Sequence, residues 1–135
     1  MSAYSRYHMN VNYLDIIHAR ICPYCGGVPV LTDSAEIYNG RSYGPVYICR
    51  KCDAFVGCHD GTVTPKGRLA DRELREAKKQ AHEAFDRLWR SGQMKRKEAY
   101  AWLSASMRTL PEYTHIGMFD IWQCREVIRL CENFR

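Results

Sequence analysis

The chain has 135 residues, 46% hydrophobic and 26% charged, with a net charge of +5; this is the ordinary range of a folded soluble protein and enough chain for one compact domain or two very small lobes. No apolar run approaches the roughly 20 residues that span a bilayer, and the opening MSAYSRYHMNVNYLDIIHAR is broken by Arg, His, Asn and Asp, so neither a membrane partner nor a secretory leader is expected. A cytoplasmic location follows, where thiols stay reduced; with seven cysteines, an odd number, metal ligation is favoured over a disulfide framework.

In chain order, residues 1–20 are expected to be an N-terminal segment rich in Tyr and Asn. Its apolar patch of Tyr13, Leu14, Ile16 and Ile17 favours a short helix over an extended strand. Residues 21–65 read as a β lobe. VPVL (28–31), AEIY (35–38), VYIC (46–49) and AFVG (54–57) are short runs rich in Val, Ile, Tyr and Phe, the residues that suit strands. TDS and NGRSYGP between them carry turn chemistry, with Asn39-Gly40 suited to positive φ and Gly44-Pro45 breaking any regular element.

Four of the cysteines form two Cys-x-x-Cys pairs, Cys22–Cys25 and Cys49–Cys52. Two intervening residues let a tight turn bring both sulfurs to one ion, and Zn²⁺ takes four such ligands in a tetrahedron. Gly26 and Gly27 permit the turn of the first knuckle, and the chain between the pairs is long enough for a hairpin that returns to the metal. This is a zinc-ribbon layout, and a filled Cys₄ set of Cys22, Cys25, Cys49 and Cys52 would make the Zn²⁺ structural, with no coordination position open for catalysis. A redox reading fits less well, because a redox Cys-x-x-Cys sits singly before a helix in a βαβ unit. Cys58 and His59 are reserve ligands that such a set does not need; Cys58 reads as a small buried hydrophobe. Cys124 and Cys131, two helical turns apart, read as core.

GTVTPKG (61–67) reads as a connection, and residues 66–135 as a helical lobe. Its first helix is expected after Asp71, as N-cap, with Gly92 just past the end. Leu74, Ala77, Ala81, Phe85 and Leu88 form its apolar stripe, with Trp89 beside them. A second helix is expected from Lys95 to about Met107, with Tyr100, Leu103 and Met107 on one face, followed by a loop through TLPEYTHIG. Asp120-Ile-Trp-Gln123 resembles a capping box and opens a third helix to about Asn133, with Ile121, Cys124, Val127, Ile128 and Cys131 inward. The fold class is α+β: an N-terminal zinc-ribbon β lobe and a three-helix C-terminal lobe.

Charge is unevenly placed. Residues 66–97 carry eleven Lys/Arg against five Asp/Glu, an excess of +6, which leaves −1 for the rest. A basic face of this kind is what a nucleic acid would meet; a solvated helix laced with pairs such as Glu83–Arg87 or Asp86–Arg90 is the competing reading. Arg72, Arg75, Lys79, Arg90, Lys95, Arg96 and Lys97 are the candidate phosphate contacts, and Tyr24, Tyr43 and Tyr47 candidates for base stacking, although aromatic ribbon residues are more often core. His59, His82 and Asp86 are the candidate catalytic set: two imidazoles and a carboxylate hold a metal or position a water on a phosphodiester. Structural pairing of His82 with Asp86, at i,i+4 on one helix, is the simpler reading, and His115 also reads as structural.

The stretches CPYCGG, YICRKCDAFVGCHDGT, PKGRLADRELREAKKQAHEAFDRLW, RKEAYAWL and HIGMFDIWQCREVI resemble a family of small bacteriophage and prophage zinc-finger-containing proteins of unknown function, over roughly residues 21–129. The resemblance implies a zinc-binding protein in a phage or in the cytoplasm of a bacterial host. It aligns Cys22, Cys25, Cys49 and Cys52 with the metal positions, and His59, Thr62, Pro65, Gly67, Arg75, His82 and Asp86 with a recurring signature, several of whose members are polar. Three functions follow in order: nucleic-acid association through the basic helix, a protein-binding module acting on a bacterial host protein, and a metal-dependent nuclease using His59, His82 and Asp86. An enzyme is the less expected of these classes.

Overall fold

The computed structural model describes residues 12–134. Most of the expected N-terminal segment, residues 1–11, lies outside the described residues. The chain divides into two compact units, residues 12–72 and residues 73–134, an α+β arrangement of a three-stranded antiparallel sheet followed by helices.

The first unit opens with a short helix, α1 (Tyr13–Ile17), as the apolar patch predicts. Strands β1 (Val30–Asp33), β2 (Pro45–Cys49) and β3 (Ala54–Gly57) follow in the spatial order β1-β2-β3. Tyr47 stands opposite Leu31 on one side and Val56 on the other. The outer edge of β3 is closed by the connecting segment: Phe55 and Ala70 exchange backbone bonds of 3.1 and 2.9 Å, and the Lys66 amide donates to the Gly57 carbonyl at 2.9 Å. Ala19, Ala54, Val56 and Leu69 make a buried cluster against which Tyr47, Cys49 and Cys52 pack.

Residues 35–38, expected as a strand, are a 3₁₀ turn (Ser34–Glu36) and its continuation. The reason is local hydrogen bonding that outcompetes a ladder. Asp33 accepts from the Ala35 amide at 2.7 Å and the Ser42 hydroxyl at 3.0 Å, and the Ser34 hydroxyl oxygen accepts from the Tyr43 amide at 2.6 Å. Asn39 and Gly40 then take positive φ, 54° and 88°. The first strand also starts two residues later than the VPVL run suggests.

The second unit is built on three helices: α2 (Arg72–Arg90), α3 (Arg96–Met107) and α4 (Ile121–Glu132). The stripe of α2 is buried as its spacing requires, at Leu74, Ala77, Ala81, Phe85 and Leu88, and Gly92 (φ 83°) ends it in the left-handed conformation. The Glu98 carboxylate accepts from the Lys95 amide at 3.1 Å and holds the start of α3. At α4 the capping box is complete: Asp120 accepts from the Gln123 amide at 2.8 Å, and Gln123 accepts from the Asp120 amide at 3.1 Å. The expected loop between α3 and α4 contains two 3₁₀ turns, Pro111–Tyr113 and Ile116–Met118. It is organised by a buried polar knot in which the Thr109 and Thr114 hydroxyls lie 2.6 Å apart and Ser104 donates to the Thr109 carbonyl at 2.6 Å. No helix among the described residues is long and apolar enough to cross a membrane.

Candidate metal centre and basic face

Cys22 and Cys25 sit on the loop before β1, Cys49 ends β2, and Cys52 lies on the turn into β3. Each knuckle is a reversal completed by a left-handed residue directly after its second cysteine: Gly26 (φ 76°) and Asp53 (φ 51°). In the first, Gly26 donates to the Cys22 carbonyl at 2.9 Å, Cys22 to the Gly27 carbonyl at 2.8 Å, and the Gly27 amide to the Cys25 sulfur at 3.4 Å. Tyr24, inside this knuckle, accepts from the Asp71 amide at 3.0 Å, an anchor to the segment beyond β3.

The four sulfurs lie within 4.8 Å of one another, and all four cysteines are free thiols. Cys25 and Cys49 are 3.7 Å apart at sulfur, against an edge of about 3.8 Å for a tetrahedron with Zn–S bonds of about 2.3 Å. The donor set and its spacing fit Zn²⁺. The Gly27 amide and the neighbouring thiols draw Cys25 down to about 7. Loss of water and sulfur neighbours push Cys52 up to about 12, and loss of water raises Cys22. Protons held by crowded thiols are what a divalent cation displaces. With four thiolates around it the ion is a structural staple.

Among the described residues, no other group of Cys, His, Asp and Glu is arranged to hold a metal; Cys58 and His59 fall outside the cluster. Cys58 is half-buried, bridging to Pro65, and burial pushes its thiol up. Cys124 is fully buried, and Cys131 is half-buried. His59 is exposed on a tight loop that the signature residues build: the Thr62 hydroxyl donates to the His59 carbonyl at 2.8 Å, and the His59 amide to the Thr64 carbonyl at 2.9 Å. Tyr47 is tied to the same loop through its hydroxyl, 2.6 Å from the Val63 carbonyl. Tyr43 is 67% exposed.

His82 and Asp86 lie on α2 in the second unit, and His59 belongs to the first. Asp86 is engaged: it accepts from the Trp89 indole at 3.2 Å and pairs with Arg90 at 3.5 Å. His82 is exposed on α2; partial loss of water on one side of its ring lowers its pKa, while Asp86 opposes that shift. His115 is exposed, its ring 5.8 Å from that of Tyr100.

The basic candidates sort by position. Arg72, Arg75, Lys79 and Arg90 fall on one side of α2, opposite its buried stripe, with Arg75 half-buried and the other three exposed; Lys95, Arg96 and Lys97 are exposed at the start of α3. Two other cations of the run are withdrawn from solvent roles: Arg68 is 3% exposed, and Lys78 donates to the Gly117 carbonyl at 2.9 Å. Sequence reasoning missed Asp53, the Tyr24–Asp71 anchor and the burial of Arg68. Only the first had a signal, its place directly after a Cys-x-x-Cys.

A model of a zinc-finger-containing domain family matches residues 18–134. No curated protein and no solved structure matches the chain.

Proposed function

This chain belongs to the zinc-finger-containing domain family, and from that premise we propose that it is a nucleic-acid-associated protein whose helical unit meets phosphates through its basic face. The observation that carries the reading is the run of exposed cations from α2 into α3. Among the described residues, Arg72, Lys79, Lys95 and Lys97 make no ion pair, so their charge is not cancelled by contact. Each phosphate such a cation neutralises releases counterions. The test is fluorescence anisotropy with DNA and RNA oligonucleotides between 50 and 200 mM salt, about the range over which such binding shows its salt dependence. Binding should weaken steeply with salt, and Lys79→Glu with Lys95→Glu and Lys97→Glu should flatten the slope by about 0.7–0.9 for each phosphate no longer neutralised. No binding at low salt refutes the reading.

A second reading, a module that docks on a bacterial host protein, is favoured by exposed apolar side chains on the ribbon unit: Val28 is 83%, Tyr43 67% and Val63 56% exposed. Capture of a host protein that survives nuclease treatment would place it first. The nuclease reading has less support, because Asp86 already serves Trp89 and Arg90. Plasmid cleavage with Mg²⁺ or Mn²⁺ that is lost in His82→Ala would revive it. The resemblance to phage and prophage proteins supports action in the bacterial cytoplasm, where thiolates stay reduced and hold zinc.

A further inference from the structure

We infer that the nucleic acid is single-stranded and that its bases stack on a row of planar side chains formed where α2 meets α3; this rests on the nucleic-acid reading above. The Arg90 and Arg96 guanidinium carbons lie 5.1 and 5.5 Å from the centroid of the Trp89 ring. Arg96 is also 5.4 Å from the centroid of Tyr100, and His115 continues the row 5.8 Å beyond, tilted by 52°. The order is Arg90, Trp89, Arg96, Tyr100, His115.

The two rings are fixed from behind. Tyr100 packs against the fully buried Phe85 with centroids 4.8 Å apart, and the Trp89 indole donates to Asp86. The arginines and His115 are exposed, and the two rings half-buried. Arg90 is paired with Asp86, so it offers a plane more than a free charge. Unpaired charge stands alongside, in Lys95 and Lys97.

A duplex keeps its base faces within the stack and presents phosphates and groove edges, so a row of planes adds nothing to its binding. A single strand exposes its base faces, and aromatic rings and guanidinium planes are what they stack on. Planar groups interleaved with lysines therefore select a single strand. DNA and RNA share this chemistry.

The experiment measures affinity for a single strand, its duplex and an equal-length abasic strand that keeps phosphates and loses bases, each as DNA, with the single strand repeated as RNA. The single strand should bind tighter than the abasic strand by roughly tenfold per stacked base. Arg96→Lys keeps the charge and loses the plane. It should weaken binding of the single strand by roughly tenfold, toward the abasic value, with the salt slope and the abasic affinity unchanged. Trp89→Leu should do the same, and Arg96→Lys, at an exposed position, serves if Trp89→Leu misfolds. Equal affinity for the intact and abasic strands, with the salt slope retained, overturns the stacking inference and leaves phosphate binding standing. Absence of binding to every strand overturns both.

Discussion

Removing one sulfur from the metal centre is expected to unfold the ribbon unit rather than loosen it. Its packed cluster holds Ala19, Ala54, Val56 and Leu69. Only Val56 and Leu69 are large, each contributing about 1.5–3 kcal/mol by burial. A structural zinc contributes about 10–16 kcal/mol of apparent folding free energy near neutral pH, more than that cluster and comparable with the burial of all the large apolar side chains of the unit, Tyr13, Ile17, Val46 and Ile48 included, so its loss exceeds the roughly 5–15 kcal/mol by which a domain is stable. Cys25→Ser leaves three thiolates and replaces the sulfur that accepts from the Gly27 amide with a hydroxyl that does not ionise at neutral pH. The assay is amide NMR of the full chain before and after a strong chelator, with elemental analysis of both proteins. Wild type should carry a single zinc per chain and the variant little. Amides of Val46, Ile48, Ala54 and Val56 should lose dispersion in the variant and on chelation. A zinc-free protein with those resonances still dispersed would show that the sulfurs are bystanders.

Phe85→Ala removes a fully buried ring in contact with Tyr100 and should cost about 3–5 kcal/mol in denaturant unfolding of the helical unit. Asp120→Ala deletes the cap that accepts from the Gln123 amide and should cost about 1 kcal/mol, most of it recovered in Asp120→Asn. Loss of water holds His82 below its usual 6.5, so the unfolded chain takes up that proton first. The stability tied to this group is present above 6.5 and is lost as pH falls through the lower folded value. An NMR titration should find a midpoint under 6.5, displaced further downward in Asp86→Asn, where the opposing charge is gone; a midpoint at or above 6.5 contradicts this.

The helical unit was legible because its signals are periodic and local. Leu74 to Leu88 recur at helical spacing and are buried; Asp120 and Gln123 satisfy each other's amides three residues apart. Residues 35–38 misled because AEIY has strand composition, while the deciding groups, Asp33, Ser34 and Ser42, lie outside the run and act through side-chain bonds to the backbone. The burial of Arg68 was not readable at all: a count of charges cannot tell an arginine 3% exposed from its solvated neighbours. Electrostatic arguments from sequence therefore need the burial of each cation before its charge is assigned to a partner.

The metal centre shows the same boundary in one motif. Cysteine spacing is dictated by the ion, which requires four sulfurs a tetrahedral edge apart, and spacing survives translation into sequence. The backbone device beneath it is less strictly encoded. Both knuckles need a left-handed residue after the second cysteine, and Gly26 announces it, since glycine adopts that conformation without strain. Asp53 fills the same position at φ 51°, because a short polar side chain tolerates it better than most. The pressure on the two glycines also differs in kind: a Cβ at Gly26 meets nothing within 4 Å, whereas one at Gly27 would sit 3.4 Å from the Cys25 sulfur. Gly26 is thus there for its torsion, whereas a side chain at Gly27 would stand in van der Waals contact with a ligand sulfur. The free energy of zinc binding exceeds the roughly 1–3 kcal/mol of a strained residue, so the second knuckle folds with Asp where the first uses Gly. Ligand spacing is consequently strict, and the residue that completes each turn is free to vary among those that accept positive φ.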